Sequence, residues 1–185
     1  MNNSLVNRVL AISGRLMPMS WITRISGMLL GPKRAPIDVR NERIVHASPE
    51  QVWDLLADVG SWPSWYRACR WLRRDGAAGF LWKAHPIELE STVTEATRGR
   101  SFAFTAIGVG LRGQRTFTLR LAPDGRSTVV STRETQEGPL PWIGRAMLAR
   151  RLHAVTEEWL RDIEAAVGAS GGSAQLAVPT ALRYG

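Results

Sequence analysis

From residue 69 to residue 136 the chain repeats one pattern six times: a strand-length run, then a break or turn signal. The runs fall at about 69–74, 79–84, 87–97, 101–107, 112–122 and 127–136. Asp75-Gly76, Arg98-Gly99 and Asp124-Gly125 mark three of the turns, and Gly108 to Gly110 a looser one. Connections this short join antiparallel neighbours, because a parallel return needs a crossover of about a dozen residues. The segment is therefore an antiparallel meander. Pro139 and Pro141 end it, and residues 140–167 then carry Leu148, Leu152, Val155, Trp159, Ile163 and Ala166 on one helical stripe.

Upstream, Val39 to His46 has the pattern of a further strand. Ser48-Pro49-Glu50-Gln51 opens a short helix, with Ser48 as N-cap, Pro49 at the first helical position and Gln51 completing a capping box. That helix runs through Leu56 and gives way at Gly60. Ser61 to Tyr66 reads as a second short helical turn, with Ser61 as cap. The order is strand, two short helices, six strands, one long helix. A sheet of this size buries its apolar face against a single helix stripe only by curling around it. The expected fold is α+β, a helix-grip arrangement with a curved seven-stranded antiparallel sheet around a long C-terminal helix.

A chain of 185 residues suits one domain with a sizeable core. Charge divides it. Residues 1–37 hold Arg8, Arg15, Arg24, Lys33 and Arg34 and no acid, whereas residues 38–167 hold 18 Lys/Arg against 16 Asp/Glu. The division predicts a basic helical arm and linker (1–37), a ligand-binding domain (38–168) and a mobile tail (169–185). A nearly balanced domain argues against nucleic acid as a partner. No apolar run reaches the ~18 residues a membrane span needs. In the arm, Leu5, Val6, Val9, Leu10, Ile12, Leu16 and Met17 share one arc, and residues 20–30 form a second amphipathic stretch. Residues 4–30 fit peripheral contact with a membrane, docking on the domain itself or on a second copy in a homodimer, and an organellar transit peptide alike. The lone Cys69 excludes an intrachain disulfide and fits a reducing, cytoplasmic compartment.

Residues 38–167 resemble the START-like, birch-allergen-like (SRPBCC) superfamily, and within it the polyketide cyclase/dehydrase-like branch. The resemblance rests on Ser48-Pro49-Glu50-Gln51-Val52-Trp53-Asp54-Leu55-Leu56-Ala57-Asp58, on Trp62-Pro63-Ser64-Trp65, on the Trp82 strand, on the Thr128…Glu134…Gly138 ending of the last strand, and on the closing helix. It implies a deep hydrophobic cavity between sheet and helix that binds a lipid, aromatic or polyketide-like molecule. It does not imply a reaction, because the superfamily includes carriers and sensors as well as cyclases.

Strand parity refines the site. If Asp124-Gly125 is a two-residue hairpin turn, Leu121 faces Thr128, Leu119 faces Val130, Phe117 faces Thr132 and Arg115 faces Glu134. The face carrying Phe117 and Leu119 is the inner one, so Arg115 and Glu134 point into the cavity side by side. The same reasoning at Arg98-Gly99 pairs Val93 with Phe104 and Ser91 with Ala106, and puts Leu89, Val93, Phe102 and Phe104 inside. Eight Trp against four Phe suit a wet-mouthed pocket or an interface, and equally a core that they fill. The expected lining is Trp65, Trp82, Leu89, Val93, Phe102, Phe104, Arg115, Phe117, Leu119, Glu134, Leu148 and Leu152. Arg115 and Glu134 either neutralise each other or also serve a ligand carbonyl or carboxylate, and they are the candidate catalytic pair.

Other chemistry finds little support. His46, His85 and His153 have no spacing that makes two of them metal ligands on one face, and no metal or cofactor is expected. Cys69 lacks a nearby His, Gly108-Val109-Gly110 precedes a strand rather than a helix, and Ser13 and Ser131 lack a nucleophile elbow. Two functions follow from the same cavity: a carrier or sensor of a hydrophobic small molecule, or a polyketide cyclase or dehydratase working by confinement.

Overall fold

A computed structural model describes residues 37–84 and 87–175, with side-chain burial through residue 169. The arm at 4–30 therefore lies outside the described residues, and so does His85. The order is β1 (Ile37–Val45), α1 (Pro49–Ala57), a 3₁₀ turn (Val59–Ser61), α2 (Trp62–Trp65), β2 (Cys69–Asp75), β3 (Gly79–Ala84), β4 (Ile87–Thr97), β5 (Ser101–Gly108), β6 (Leu111–Leu121), β7 (Thr128–Glu137), α3 (Pro139–Ile143) and α4 (Arg145–Gln175). All seven strands form one sheet in the order β1-β7-β6-β5-β4-β3-β2, and every pairing is antiparallel. Strands two to seven are thus a meander, and β1 closes on β7 at the far side.

The β6–β7 register is the expected one: Leu121 opposes Thr128, Phe117 opposes Thr132, and Arg115 opposes Glu134. The loop is longer than the expected two residues. Ala122 still pairs with Ser127, its N–H reaching the Ser127 carbonyl at 2.8 Å, so Pro123 to Arg126 form the turn. The extra residues are added symmetrically, which leaves strand parity unchanged. At β4–β5 two deviations cancel. Thr97 pairs with Ser101 across a three-residue loop, one out of step, and a bulge between Val93 and Glu95 restores the Val93–Phe104 and Ser91–Ala106 pairs.

Helix α1 starts as its sequence requires. The Gln51 N–H donates to Ser48 Oγ at 3.3 Å, and the Ser48 N–H donates to Gln51 Oε1 at 2.9 Å. Ser61 does not cap α2 in this way. It is itself helical, donates to the Asp58 carbonyl and accepts from Trp65 Nε1, because the preceding 3₁₀ turn already supplies the geometry. The closing helix differs from expectation at both ends. Pro139–Ile143 is a separate turn that breaks at Gly144. At the other end α4 continues past Gly168 to Gln175, since glycine costs a helix about 1 kcal/mol without forbidding it and no proline follows until residue 179.

The core lies between the concave face of the sheet, α1–α2 and α4. Trp62 is its centre: fully buried, it meets Phe80, Trp82, Phe102, Phe104 and Trp159 at centroid distances of 5.2–6.3 Å, and its indole N–H donates to the Leu56 carbonyl at 3.1 Å. Burial of several aromatic side chains, each contributing roughly 1.5–3 kcal/mol or more, sustains the closed arrangement. Helix α4 is also tied by Arg67, whose backbone N–H and guanidinium both donate to the buried Asp162.

Gly138 sets the route from β7 into α3. Its φ is +116°, and a Cβ there would lie 2.7 Å from the Gly110 carbonyl oxygen. Strain and backbone collision coincide, so Gly138→Ala is expected to lower stability by about 1–3 kcal/mol in denaturant unfolding. Gly125→Ala meets no neighbour and sits at φ +66°, in the left-handed helical region, so it should cost less.

Candidate functional site

The concave face changes character along the strands. In one cross-strand row Phe102 stands beside Phe117, and Phe117 beside Thr132; the next row is Phe104, Arg115 and Glu134. One row further, the neighbours are Ala106 and Gly113, with Gln136 beyond. Large rings fill the first row, and the near absence of side chain in the third leaves room. A cavity of about 190 Å³ lies there, bounded by Trp82, Ala84, Leu89, Phe104, Ala106, Gly113, Arg115, Glu134, Gln136 and Tyr66, and on the helix side by Leu148, Leu152, Val155 and Trp159. Arg151 and Ile87 are at its edge.

Of the residues expected to line a pocket, Trp82, Leu89, Phe104, Arg115, Glu134, Leu148 and Leu152 border this space. Phe102, Phe117 and Leu119 are buried in the core beside it, and Val93 packs against that core. Trp65 is half-buried against Tyr66, with its indole directed to Ser61. Tyr66 and Trp159 take the place that Trp65 was expected to fill. Their rings stack at 4.2 Å and 12°. The helix ends at Trp65, and Tyr66, its C-cap with extended backbone, is the residue whose ring turns inward. The small residues Ala84, Ala106 and Gly113 were not expected. A glycine inside a strand, at the parity of the buried face, is the signal that could have found one of them.

Arg115 organises the polar end. One Nη donates to the Glu134 carboxylate and, at 3.3 Å, to Thr156 Oγ1 of α4, and the guanidinium carbon sits 4.3 Å from the Trp159 ring centroid. Glu134 accepts a further bond from Gln136 Nε2 at 2.9 Å. The pair is therefore satisfied on the carboxylate side and not on the other: Arg115 Nη1 is buried without a hydrogen-bond partner, and so is Trp159 Nε1. Burial draws the Arg115 guanidinium down to about 10, which leaves it charged at neutral pH. Burial pushes the Tyr66 phenol up to about 12, with Arg115 opposing the shift. Tyr66 thus keeps its proton throughout the ordinary pH range.

Elsewhere the polar clusters are structural. Ser127 Oγ donates to Asp124 and contacts His46 Nδ1 at 3.0 Å, but serine is the middle member of this trio, so its proton points to the carboxylate and away from the imidazole. The cluster braces the β6–β7 turn. His153 Nδ1 bonds the Asn41 amide at 2.8 Å and so joins α4 to β1. The Cys69 thiol is buried and pushed up to about 11, a poor nucleophile. Among the described residues no group of three or more His, Cys, Asp or Glu could hold a metal, and no helix is long and apolar enough to cross a membrane.

A curved antiparallel sheet closed over one long helix, with a cavity between them, defines a START-like fold. The chain belongs to the family described as polyketide cyclase / dehydrase and lipid transport, whose sequence profile matches residues 36–168. Comparison with curated proteins finds no match. Among solved structures, a START superfamily protein from Mycobacterium smegmatis is similar with a TM-score of 0.61 and 17% identity, over 71% of this chain and 97% of that one. A conserved protein from Geobacillus kaustophilus has a TM-score of 0.64 and 14% identity, over 72% and 97% of the two chains. The di-domain aromatase/cyclase StfQ of the steffimycin biosynthetic pathway has a TM-score of 0.62 and 17% identity, over 74% of this chain and 52% of StfQ. At these identities the likeness is one of fold.

Two outcomes follow from the polar end. Arg115→Met leaves the Glu134 carboxylate buried without its partner and should cost about 3–5 kcal/mol in denaturant unfolding, whereas Arg115→Met with Glu134→Leu should cost much less. Tyr66 supplies a pH test. In the window from pH 10 to 12 the unfolded phenol ionises and the folded one does not. The folded state then binds more protons, so the Tyr66 contribution falls as pH rises. The stability of wild type relative to Tyr66→Phe should therefore fall across that window in denaturant unfolding.

Proposed function

We propose that this protein binds a small hydrophobic molecule carrying one hydrogen-bond acceptor, in the cavity between sheet and α4, as a carrier or sensor. The observation that carries the reading is the pairing of an apolar chamber with a buried, unpartnered donor, Arg115 Nη1. A buried guanidinium N–H without an acceptor costs free energy that a ligand carbonyl, phenolate or carboxylate would recover. Trp159 Nε1 is a second such donor on a residue of the same wall. The size of the chamber limits the ligand. Drug-sized pockets run from about 300 Å³ upward, and a cavity of about 150 Å³ suffices for benzene. The reading is therefore of a compound with one or two rings, or of the end of a longer chain that leaves past Leu148 and Ile87.

Family membership supports a second reading, a cyclase or dehydratase acting on a polyketide-like chain, and one observation favours it. Tyr66, protonated and beside Arg115, could polarise a ketone of a folded substrate. Against it, both Glu134 oxygens are engaged by Arg115 and Gln136, so no free carboxylate is available as a base. Binding needs nothing more than the groups present.

The test is occupancy of the third row. Trp82 and Trp159 border the chamber, so 2-naphthol should quench tryptophan fluorescence in a saturable way, and naphthalene should bind about tenfold more weakly because it offers no acceptor. Gly113→Leu fills the space and should abolish saturable quenching while leaving the circular dichroism spectrum unchanged. Unaltered quenching in Gly113→Leu would remove the binding reading.

A further inference from the structure

At one end of the sheet, the β5–β6 turn, α3 and the first turn of α4 gather apolar side chains in the open. Ile143 is 86% exposed and Met147 69%, and Trp142, Val109 and Leu140 are all more than two-fifths exposed. They form one neighbourhood. The Leu140 N–H donates to the Gly110 carbonyl at 3.2 Å, one residue from Val109, and the Gly144 N–H returns to the Leu140 carbonyl at 3.1 Å. Five large apolar side chains left together in water usually mark a docking surface.

Charge says what it docks on. From Gly138 to Thr156 the chain holds Arg145, Arg150 and Arg151 and no acid. All three are exposed, and no ion pair joins any of them to a carboxylate among the described residues. Glu137, the nearest acid before this stretch, faces Arg112 at 4.0 Å. Apolar residues at the tip, a tryptophan among them and unpaired arginines behind, are the composition of a surface that lies in the headgroup boundary of a bilayer. The patch also adjoins the cavity: Leu148, one turn from Gly144, belongs to both neighbourhoods.

We propose that this face, α3 with the start of α4 and the β5–β6 turn, docks on an anionic lipid bilayer. Trp142, Ile143 and Met147 enter the acyl boundary, while Arg145 and Arg150 meet the headgroup phosphates. Docking does not depend on the ligand reading. Its consequence, that a molecule dissolved in the bilayer enters the cavity past Leu148 without crossing water, does rest on it.

The experiment uses the full chain with Ile143→Cys carrying an environment-sensitive fluorophore; the buried Cys69 stays unlabelled under native conditions. Pro123→Cys, in the β6–β7 turn at the opposite end of β6, is the reference. Vesicles of phosphatidylcholine mixed with phosphatidylserine should shift the emission of the label at 143 to the blue and leave the label at 123 unmoved. With Arg145→Glu and Arg150→Glu added, half the shift should require at least about tenfold more lipid. Three results would overturn the proposal: no shift at 143, equal shifts at both positions, or an equal shift on phosphatidylcholine alone. A shift at 143 that grows with protein concentration in the absence of lipid would overturn it too, by assigning the face to a second copy. None of these readings requires 2-naphthol to bind, so failure of docking and failure of ligand binding are told apart.

Discussion

Trp159 is the contact on which the closed arrangement depends. It projects from the middle of α4 into the aromatic cluster of the core. Its indole stacks on Tyr66 from the segment after α1, meets Trp62 and Phe117 edge-on, and lies against the Arg115 guanidinium. The sheet has one concave apolar face, and α4 covers it together with α1 and α2. The indole supplies both the apolar area and the π-face that a buried cation accepts. Without it, the Arg115 guanidinium would lose its π-face, and the helix would be held by its aliphatic contacts and by the polar ties of Thr156, His153 and Asp162.

The position of the cavity follows from that clasp. Helix α4 is held close where Trp159, Leu160 and Ile163 meet the aromatic rows, and it cannot collapse further where the sheet offers only Ala106 and Gly113. Interiors are packed to near crystal density, so a persistent space needs a geometric cause, and a row of small side chains under a rigid helix is one. Polar groups gather at the boundary between the filled and the empty rows. There Arg115 has its carboxylate partner through one nitrogen and keeps the other, Nη1, buried without a hydrogen-bond partner.

How far the sequence could be read depended on the range of the interaction. Strand parity carried a long way, because a side chain's face is set by counting from the turn, and deviations that add two residues, or add one and later remove one, preserve that count. Asp124-Gly125 and Arg98-Gly99 illustrate the two cases. Parity placed Arg115 against Glu134 from an assumed two-residue turn, and the pairing survived because the real turn is longer by one residue on each side. It could not tell Trp65 from Tyr66 as the inward ring, since the expected helical turn included Tyr66 and the real one ends at Trp65, leaving Tyr66 extended. Nor could it show that Phe102, Phe117 and Leu119 pack solid while Ala106 and Gly113 do not. All five share the inner face, and whether a space is filled depends on what crosses from the other side.

The sequence by itself thus determined what depends on local rules: seven strands and the meander pairing of the last six, the capped start of α1, the inner face of β4 to β7, and the Arg115–Glu134 opposition; the pairing of β1 with β7 was not among them. These follow from periodicities and turn chemistry that act within about ten residues of the chain. Tertiary structure alone decided where α4 lies along the concave face, and hence which inner residues meet bulk and which meet space. It also decided that Arg115 Nη1 is buried without a partner and that, among the described residues, Ile143 and Met147 stand exposed. Each of these is a property of surfaces brought together from opposite ends of the chain, and no local periodicity records the distance between them.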